Sequence, residues 1–290
     1  MDNIKKPTSE RPMVAIVGPT ASGKSAMALR IAQKYNGEII CVDSRTIYKG
    51  MDIGTAKPSR EEQKLVHHHC LDIVNPDQGF SVADFKAVAK KATKEIRQRG
   101  RLPILVGGSG LYVDSVLYDF SFPEVDQNGI HDLTLSELQK LAVSKGLTPP
   151  EQTLLNKRHL AGYISRDGKP GIRSQLTNVT IIGLLVDKEE LHKRIEKRVE
   201  EMFASGLVQE TQDLLEKYGE NAVGMGACGY DAIVAYIDGE VTQNESRDVF
   251  TRSHKQLAKK QMTWFKRNKD IHWVRSLEEA EQVINENLLQ

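Results

Sequence analysis

Residues 13–25 read MVAIVGPTASGKS, and no other stretch narrows the folds open to this chain as much. Five apolar residues feed Gly18, and a helical pattern begins at Lys24. A strand, a glycine-punctuated loop and a helix in that order make a phosphate-binding loop. Gly18 and Gly23 let the backbone curl so that successive amides face an anion, Lys24 adds a point charge, and Ser25 offers a hydroxyl to Mg²⁺. The helix contributes the positive end of its dipole. Thr20, Ala21, Ser22, Gly23, Lys24 and Ser25 are therefore the expected phosphate or diphosphate ligands, with Ser25 the metal ligand. The loop alone does not say whose phosphate it holds.

A loop of this kind sits at the edge of a parallel sheet, and the pattern continues accordingly. Residues 38–42 form a second strand ending at Asp43. A helix over 82–99 stops at Gly100, and a strand over 102–106 runs into Gly107-Gly108-Ser109-Gly110, ahead of another helix. Residues 178–186 (NVTIIGLLV) make a further buried strand. The alternation predicts an α/β fold, a P-loop-type parallel sheet flanked by helices. Residues 121–177 break the rhythm. They are polar, carry Pro149-Pro150 and hold short helical patches such as 133–144, which reads as a small, mostly helical insertion. Beyond it the chain is helical over 188–204, 207–217, 229–237 and 245–267, followed by a strand over 271–274 and a last helix. The expected organisation is a first part of the core over 1–120, the insertion over 121–177, and core completion with C-terminal helices over 178–290.

Composition excludes several classes. With 39% apolar and 27% charged residues among 290, the chain matches ordinary globular proteins. No run approaches the ~18 apolar residues of a membrane span, and the polar start MDNIKKPTSERP lacks the apolar core of a secretory signal. Cys41, Cys70 and Cys228 are scattered and odd in number, which suggests reduced thiols and a cytoplasmic setting. A net charge of +1 gives no global attraction for nucleic acid. Locally, residues 249–269 hold seven Lys or Arg and no acid, a run that suits either a phosphate backbone or a solvated helix face.

Individual residues sharpen the reading. Asp43 follows the second strand at the carboxyl edge, where open α/β sheets bind ligands; as a base or metal ligand it would face the first loop, and as a turn former it would need no ligand. The 107–110 cluster ends at the same edge and brings amides or the Ser109 hydroxyl there. In helix 188–204, Leu191, Ile195, Val199 and Met202 define a buried stripe. Arg198 falls in the middle of it, at ~100° per residue. A buried arginine needs an anion unless it snorkels to the surface. His67-His68-His69-Cys70 lacks metal-ligand spacing and reads as a structural loop.

Together, GPTASGKS (18–25), DSRTIYKGMDIGTAKP (43–58), HHCLD (68–72), SVADF (81–85), GRLPILVGGSGLY (100–112), RIEKRV (194–199), GYDAIVAYIDGE (229–240) and KQLAKKQMTWFKR (255–267) resemble the bacterial tRNA dimethylallyltransferases. The similarity runs through nearly the whole chain apart from the insertion and the N-terminal tail. It implies that the loop cradles dimethylallyl diphosphate with Mg²⁺ and consumes no ATP, despite the ATP-binding look of the motif. The five-carbon group would pass to the exocyclic amine of the adenine 3′ of a tRNA anticodon, flipped out of its stack. By the same resemblance Asp43 takes the amine proton, and Lys24, Arg198 and Ser109 assist at the reacting groups. Asp43, Ser44, Arg45, Thr46, Arg158, Gly229 and Tyr230 would lie against the anticodon loop of tRNA. The expected protein is a cytoplasmic monomer with no membrane partner.

The chain also departs from the family pattern. Gly226 stands where M-R-A-x-G-Y has arginine, and His159 and Gly162 replace two arginines of N-x-R-R-x-x-R-A-L-E. All three lost charges fall on the expected RNA side. Two neighbouring activities stay open at this level: an adenylate dimethylallyltransferase acting on free nucleotide, and a P-loop small-molecule kinase using ATP.

Overall fold

The computed structural model describes residues 12–118, 130, 133–165, 167–168 and 178–288, the side chains of Arg158 and Leu288 aside. The first half comprises β1 (Met13–Val17), α1 (Lys24–Lys34), β2 (Gly37–Cys41), α2 (Arg60–Leu65), β3 (His68–His69), α3 (Val82–Gln98), β4 (Leu102–Gly107) and α4 (Gly110–Leu117). Then come α5 (Leu135–Ser144), α6 (Glu151–Leu154) and α7 (Lys157–Ile164). The chain continues through β5 (Val179–Leu184), α8 (Lys188–Ala204), α9 (Leu207–Tyr218), α10 (Tyr230–Ile237), α11 (Gln243–Phe265), β6 (Ile271–Val274) and α12 (Leu277–Leu288).

The strands pair in parallel in the order β3-β2-β4-β1-β5-β6. Every residue of β1 and β2 is buried, as helices covering both faces of a parallel sheet require. One core layer joins Val14, Ile16 and Ile182 of the strands to Met27 and Ile31 of α1 and Ala280 and Ile284 of α12. A second gathers Ile195, Val199 and Met202 of α8 with Ile233 of α10 and Phe250 and Ala258 of α11. The α8 stripe is therefore buried as its spacing requires. Helix starts follow local chemistry: Ser81 and Asp84 cap α3 reciprocally, and Thr242 and Glu245 do the same for α11.

Register aligns the strand ends. Val17 pairs with Gly107 and Gly183, and Cys41 pairs with Val106. The loops after β1, β2 and β4 therefore open on one carboxyl edge. Tyr118–Leu176 form a compact unit distinct from Met1–Leu117 with Thr177–Gln290. That smaller unit has its own apolar centre of Ile130, Leu138, Ala142, Leu160 and Ile164. Among the described residues no helix is long and apolar enough to cross a membrane.

Candidate active site

The phosphate-binding loop begins where β1 ends. Gly23, the N-cap of α1, has φ +95°, a left-handed conformation that costs glycine little and other residues much. Lys24 donates from Nζ to the Pro19 carbonyl at 3.1 Å. The loop is braced from two distant helices. From α11, Gln261 Oε1 accepts the Thr20 amide at 2.7 Å. From α8, Arg198 Nη1 donates to Thr20 Oγ1 at 3.3 Å, and Arg194 Nη1 reaches the Ser22 carbonyl at 3.5 Å.

Just beyond β2, Asp43 Oδ1 accepts the Arg45 amide at 2.8 Å, so the carboxylate closes its own turn. Ser109, after β4, accepts the Ser44 amide on its Oγ at 3.1 Å. Thr46 is 6% exposed, and its Oγ1 has no hydrogen-bond partner among the described residues.

These loops enclose a cavity of about 290 Å³ bordered by Thr20, Ala21, Gly23, Lys24 and Ser25, by Asp43, Arg45 and Thr46, and by Arg198. Cys41, Val106, Met202 and Leu257 add apolar surface to its wall. The volume lies at the small end of ligand pockets, ~300–1,000 Å³. Burial, reinforced by the nearby Arg198 charge and opposed by Asp43, pushes Lys24 down to about 8. Burial raises the proton affinity of Asp43, against the Arg45 amide and the Lys24 charge, which hold it down. Burial lowers the pKa of Arg198 as well. The site thus concentrates cations that lack a full complement of anions, beside a carboxylate of raised basicity.

Ser22, Ser44 and Ser109 stand behind this surface and do not border the cavity. Two expected RNA contacts require correction. Tyr230 is fully buried, its hydroxyl donates to Glu210 Oε1 at 2.8 Å, and a Cβ on Gly54 would stand 2.4 Å from that hydroxyl. Gly229 starts α10 against the Phe250 ring. Both are internal, so neither side of this pair is available to RNA. Arg158 belongs to α7 in the separate unit, and its side chain lies outside the described ones. Gly107 and Gly108 serve close packing: a Cβ on Gly107 would stand 1.9 Å from the Val42 carbonyl oxygen, and one on Gly108 2.4 Å from Gln261 Nε2.

Sequence reasoning missed several contributors. Glu210 accepts the amides of Asp52 and Ile53 on Oε2 at 2.8 and 2.7 Å and that of Gly54 on Oε1 at 3.0 Å. It thereby fixes the segment whose Gly54, Thr55 and Ala56 wall the cavity. Lys57, whose side chain is 3% exposed, ties the same segment to the Tyr48 carbonyl, Asp52 and Asp72. Gln261, His254 and Cys228 also border the cavity. The signal for Gln261 and His254 was available: both lie on the α11 face shared with Phe250, Ala258 and Phe265, where polar residues need a reason.

Glu38, His67 and His69 place potential metal-ligand atoms within 4.8 Å of one another. Glu38 belongs to β2, at the start of the strand and away from the carboxyl edge. Its carboxylate already accepts Arg99 Nε and Nη2 at 3.0 and 2.7 Å, Arg101 Nη1 at 3.1 Å and a 2.6 Å bond from His69. Burial alone would raise its pKa, but the hydrogen bonds from Arg99 and His69 prevail and hold it at about 2. A metal ion would have to displace two guanidinium groups, so the cluster reads as an ionic clamp.

Comparison with known proteins matches residues 46–268 to the family model "IPP transferase". Curated relatives named tRNA dimethylallyltransferase include that of Macrococcus caseolyticus, 38% identical with 90% of both chains covered, and that of Bacillus subtilis, 35% identical with 91% of both covered. The tRNA isopentenylpyrophosphate transferase of Bacillus halodurans superposes with TM-score 0.77 at 33% identity, covering 96% of this chain and 97% of that one. The Staphylococcus epidermidis tRNA delta(2)-isopentenylpyrophosphate transferase gives 0.73 at 32% identity, covering 96% and 99%. A eukaryotic dimethylallyltransferase acting on tRNA shares the fold, with TM-score 0.77 at 22% identity.

Proposed function

Since the chain belongs to the IPP transferase family, a family of prenyltransferases, we propose that it moves a dimethylallyl group from dimethylallyl diphosphate to the exocyclic amine of the adenine 3′ of a tRNA anticodon, releasing diphosphate. The observation that carries this reading is the meeting of Lys24, Arg198 and the 20–25 loop with Asp43 in one small cavity. Cations on one side suit a departing diphosphate. A half-buried carboxylate suits an amine that must lose a proton.

The donor's diphosphate lies on the amides of residues 20–25, with Lys24 and Arg198 at its oxygens. As the allylic carbon–oxygen bond breaks, negative charge grows on the diphosphate, and these fixed charges stabilise it without reorganising. The adenine amine is a weak nucleophile because its lone pair is delocalised into the ring. As it attacks the allylic carbon it becomes acidic, and Asp43 accepts its proton. Burial has already raised the basicity of Asp43, as general-base catalysis near neutral pH requires. The unpartnered Thr46 hydroxyl is a hydrogen-bonding group for the flipped base. The apolar wall of Val106, Met202 and Leu257 suits the five-carbon chain.

Magnesium fits the donor set. Ser25 is an exposed hydroxyl on the first turn of α1, and Mg²⁺ binds through few protein oxygens, substrate phosphates and water. Ser25 would hold the ion there, where it would supply further charge neutralisation for the diphosphate.

Exposed Arg252, Lys259, Lys260, Lys266 and Arg267 of the 249–269 run, with Arg45 at the cavity, supply cations for the RNA backbone. The protein works as a monomer in the cytoplasm. One assay tests the whole reading. Purified protein is given dimethylallyl diphosphate labelled in the prenyl group, or ATP labelled in the γ-phosphate, with total tRNA or AMP as acceptor. Prenyl label in tRNA is expected. Prenyl label in AMP, or phosphoryl label in any acceptor, overturns it.

A further inference from the structure

The mechanism above gives no task to one ionisable ring in the cavity wall, that of His254. It is 6% exposed and borders the same cavity as Lys24, Asp43 and Arg198. Residues 254, 257 and 261 share one face of α11 and all border the cavity. The far end of that face is anchored to the phosphate-binding loop through Gln261 and the Thr20 amide. Thr20 in turn holds Arg198, whose charge also acts on the His254 ring.

The ring is held in one orientation. It stacks on Phe250 with centroids 4.4 Å apart and planes at 28°, and Nδ1 lies 3.0 Å from the Phe250 carbonyl oxygen. A carbonyl only accepts, so Nδ1 carries the proton, and in the neutral ring Nε2 is the lone-pair nitrogen. Resting on the diphosphate reading, we propose that His254 is a proton-linked ligand of the donor: neutral in the free protein, and an imidazolium donating Nε2–H to the diphosphate once the donor is bound.

The charges around the ring give the sign. From α8 it faces Arg198, with Glu201 acting on Arg198 in turn. The phosphate-binding loop presents Lys24, the turn after β2 presents Asp43 and Arg45, and Glu62, His68, Cys41 and Cys228 complete the ionisable wall. Burial and Arg198 keep the free ring neutral, its Phe250 bond opposing them. A bound diphosphate adds roughly two to three negative charges and reverses that balance, so donor binding draws in a proton. The added cation then stabilises the same charge that Lys24 and Arg198 stabilise as the bond to carbon breaks.

The probe is inorganic diphosphate. Its binding is followed by calorimetry at pH 7 in buffers of different ionisation heat, for wild type, His254→Gln and, as a control at an exposed histidine outside the cavity, His272→Gln. Histidine C2–H resonances are titrated with and without it. Protonation changes of the ligand itself are common to all three proteins and cancel in the comparison. We expect wild type and His272→Gln to take up more protons per diphosphate than His254→Gln. One histidine resonance, absent in His254→Gln, should titrate at higher pH when diphosphate is bound. A rise of about one unit would strengthen wild-type binding up to about tenfold on acidification through that range. Diphosphate that binds wild type while leaving every histidine titration unmoved overturns the role of His254 and leaves the proposed function standing. Absence of diphosphate binding to wild type overturns both. The wild-type spectra decide the matter even if the His254 variant fails to fold.

Discussion

Lys24 has a pKa of about 8 in the free protein, pushed there by burial and then by Arg198, and this makes donor binding depend on pH in a calculable way. The donor binds to the protonated ammonium. About nine-tenths of the protein carries it at pH 7, half at pH 8 and about one-tenth at pH 9, as follows from a pKa of about 8. Apparent affinity scales with the competent fraction, so the dissociation constant for dimethylallyl diphosphate should rise up to about tenfold between pH 7 and 9, ~1.4 kcal/mol. Phosphoester second ionisations lie near 6, so the ligand's own charge is constant over that window. Lys24→Met should bind more weakly and lose the slope. The lowered pKa has a second consequence. The folded state disfavours the charged lysine, and that cost is present below pH 8 and fades as pH rises toward the unfolded value. Lys24→Met should therefore melt higher than wild type at pH 7 without ligand, by about 2–4 °C for each kcal/mol recovered. Calorimetric titration from pH 7 to 9 with both proteins, and their melting curves, test the argument. A flat wild-type profile, or an identical slope in Lys24→Met, would refute it.

Asp43→Asn should bind donor as wild type does while single-turnover transfer falls ~10²–10⁴-fold, the scale of general-base help; recovery of the rate with added Mg²⁺ would make Asp43 a metal ligand. Because burial raises its pKa, the acid limb of the wild-type rate profile should lie above the usual aspartate range. Arg198→Ala should weaken donor binding and slow transfer, and Arg198→Lys should recover only part because the fork geometry is lost; a change confined to melting temperature would make the residue structural. Glu210→Ala frees three amides and the Tyr230 hydroxyl. It should expose the 52–56 backbone to hydrogen exchange and raise the donor KM, and unchanged protection there would count against the clamp. Glu38 has a folded pKa of about 2, so its clamp stabilises the fold above the ordinary carboxylate pKa and is lost as pH falls toward 2. Glu38→Gln should flatten acid unfolding between about pH 4.5 and 2, read as circular dichroism against pH.

The parts of the site that were legible from sequence are those with local chemistry. β1, its loop and α1 announce themselves within thirteen residues, and Arg198 stands out because it interrupts a 3.6-residue apolar stripe. What stayed hidden depends on partners far away in sequence. Glu210 looks like an ordinary surface acid of α9 until the 52–54 amides arrive above it. Gly107 and Gly108 look like ligand-binding glycines, yet Val42 and Gln261 require their bareness. Tyr230 sits in one of the stretches that carry the family resemblance, which implies a role against RNA, and only its packing on Gly54 shows it to be internal. β3 spans two residues, too few for any period to register. In the basic run one face of α11 is buried, and most of its cations are exposed on the others.

The hydrogen bond between Thr20 and Gln261 joins residues 241 positions apart, and this sets an order of events during synthesis. A ribosome adding ~5–20 residues per second makes Gln261 roughly 12–48 s after Thr20. Through that interval the phosphate-binding loop lacks its α11 wall, and until residue 198 emerges it lacks its arginine too. A nascent chain therefore carries the anion-binding motif well before it has the residues that wall the reaction cavity.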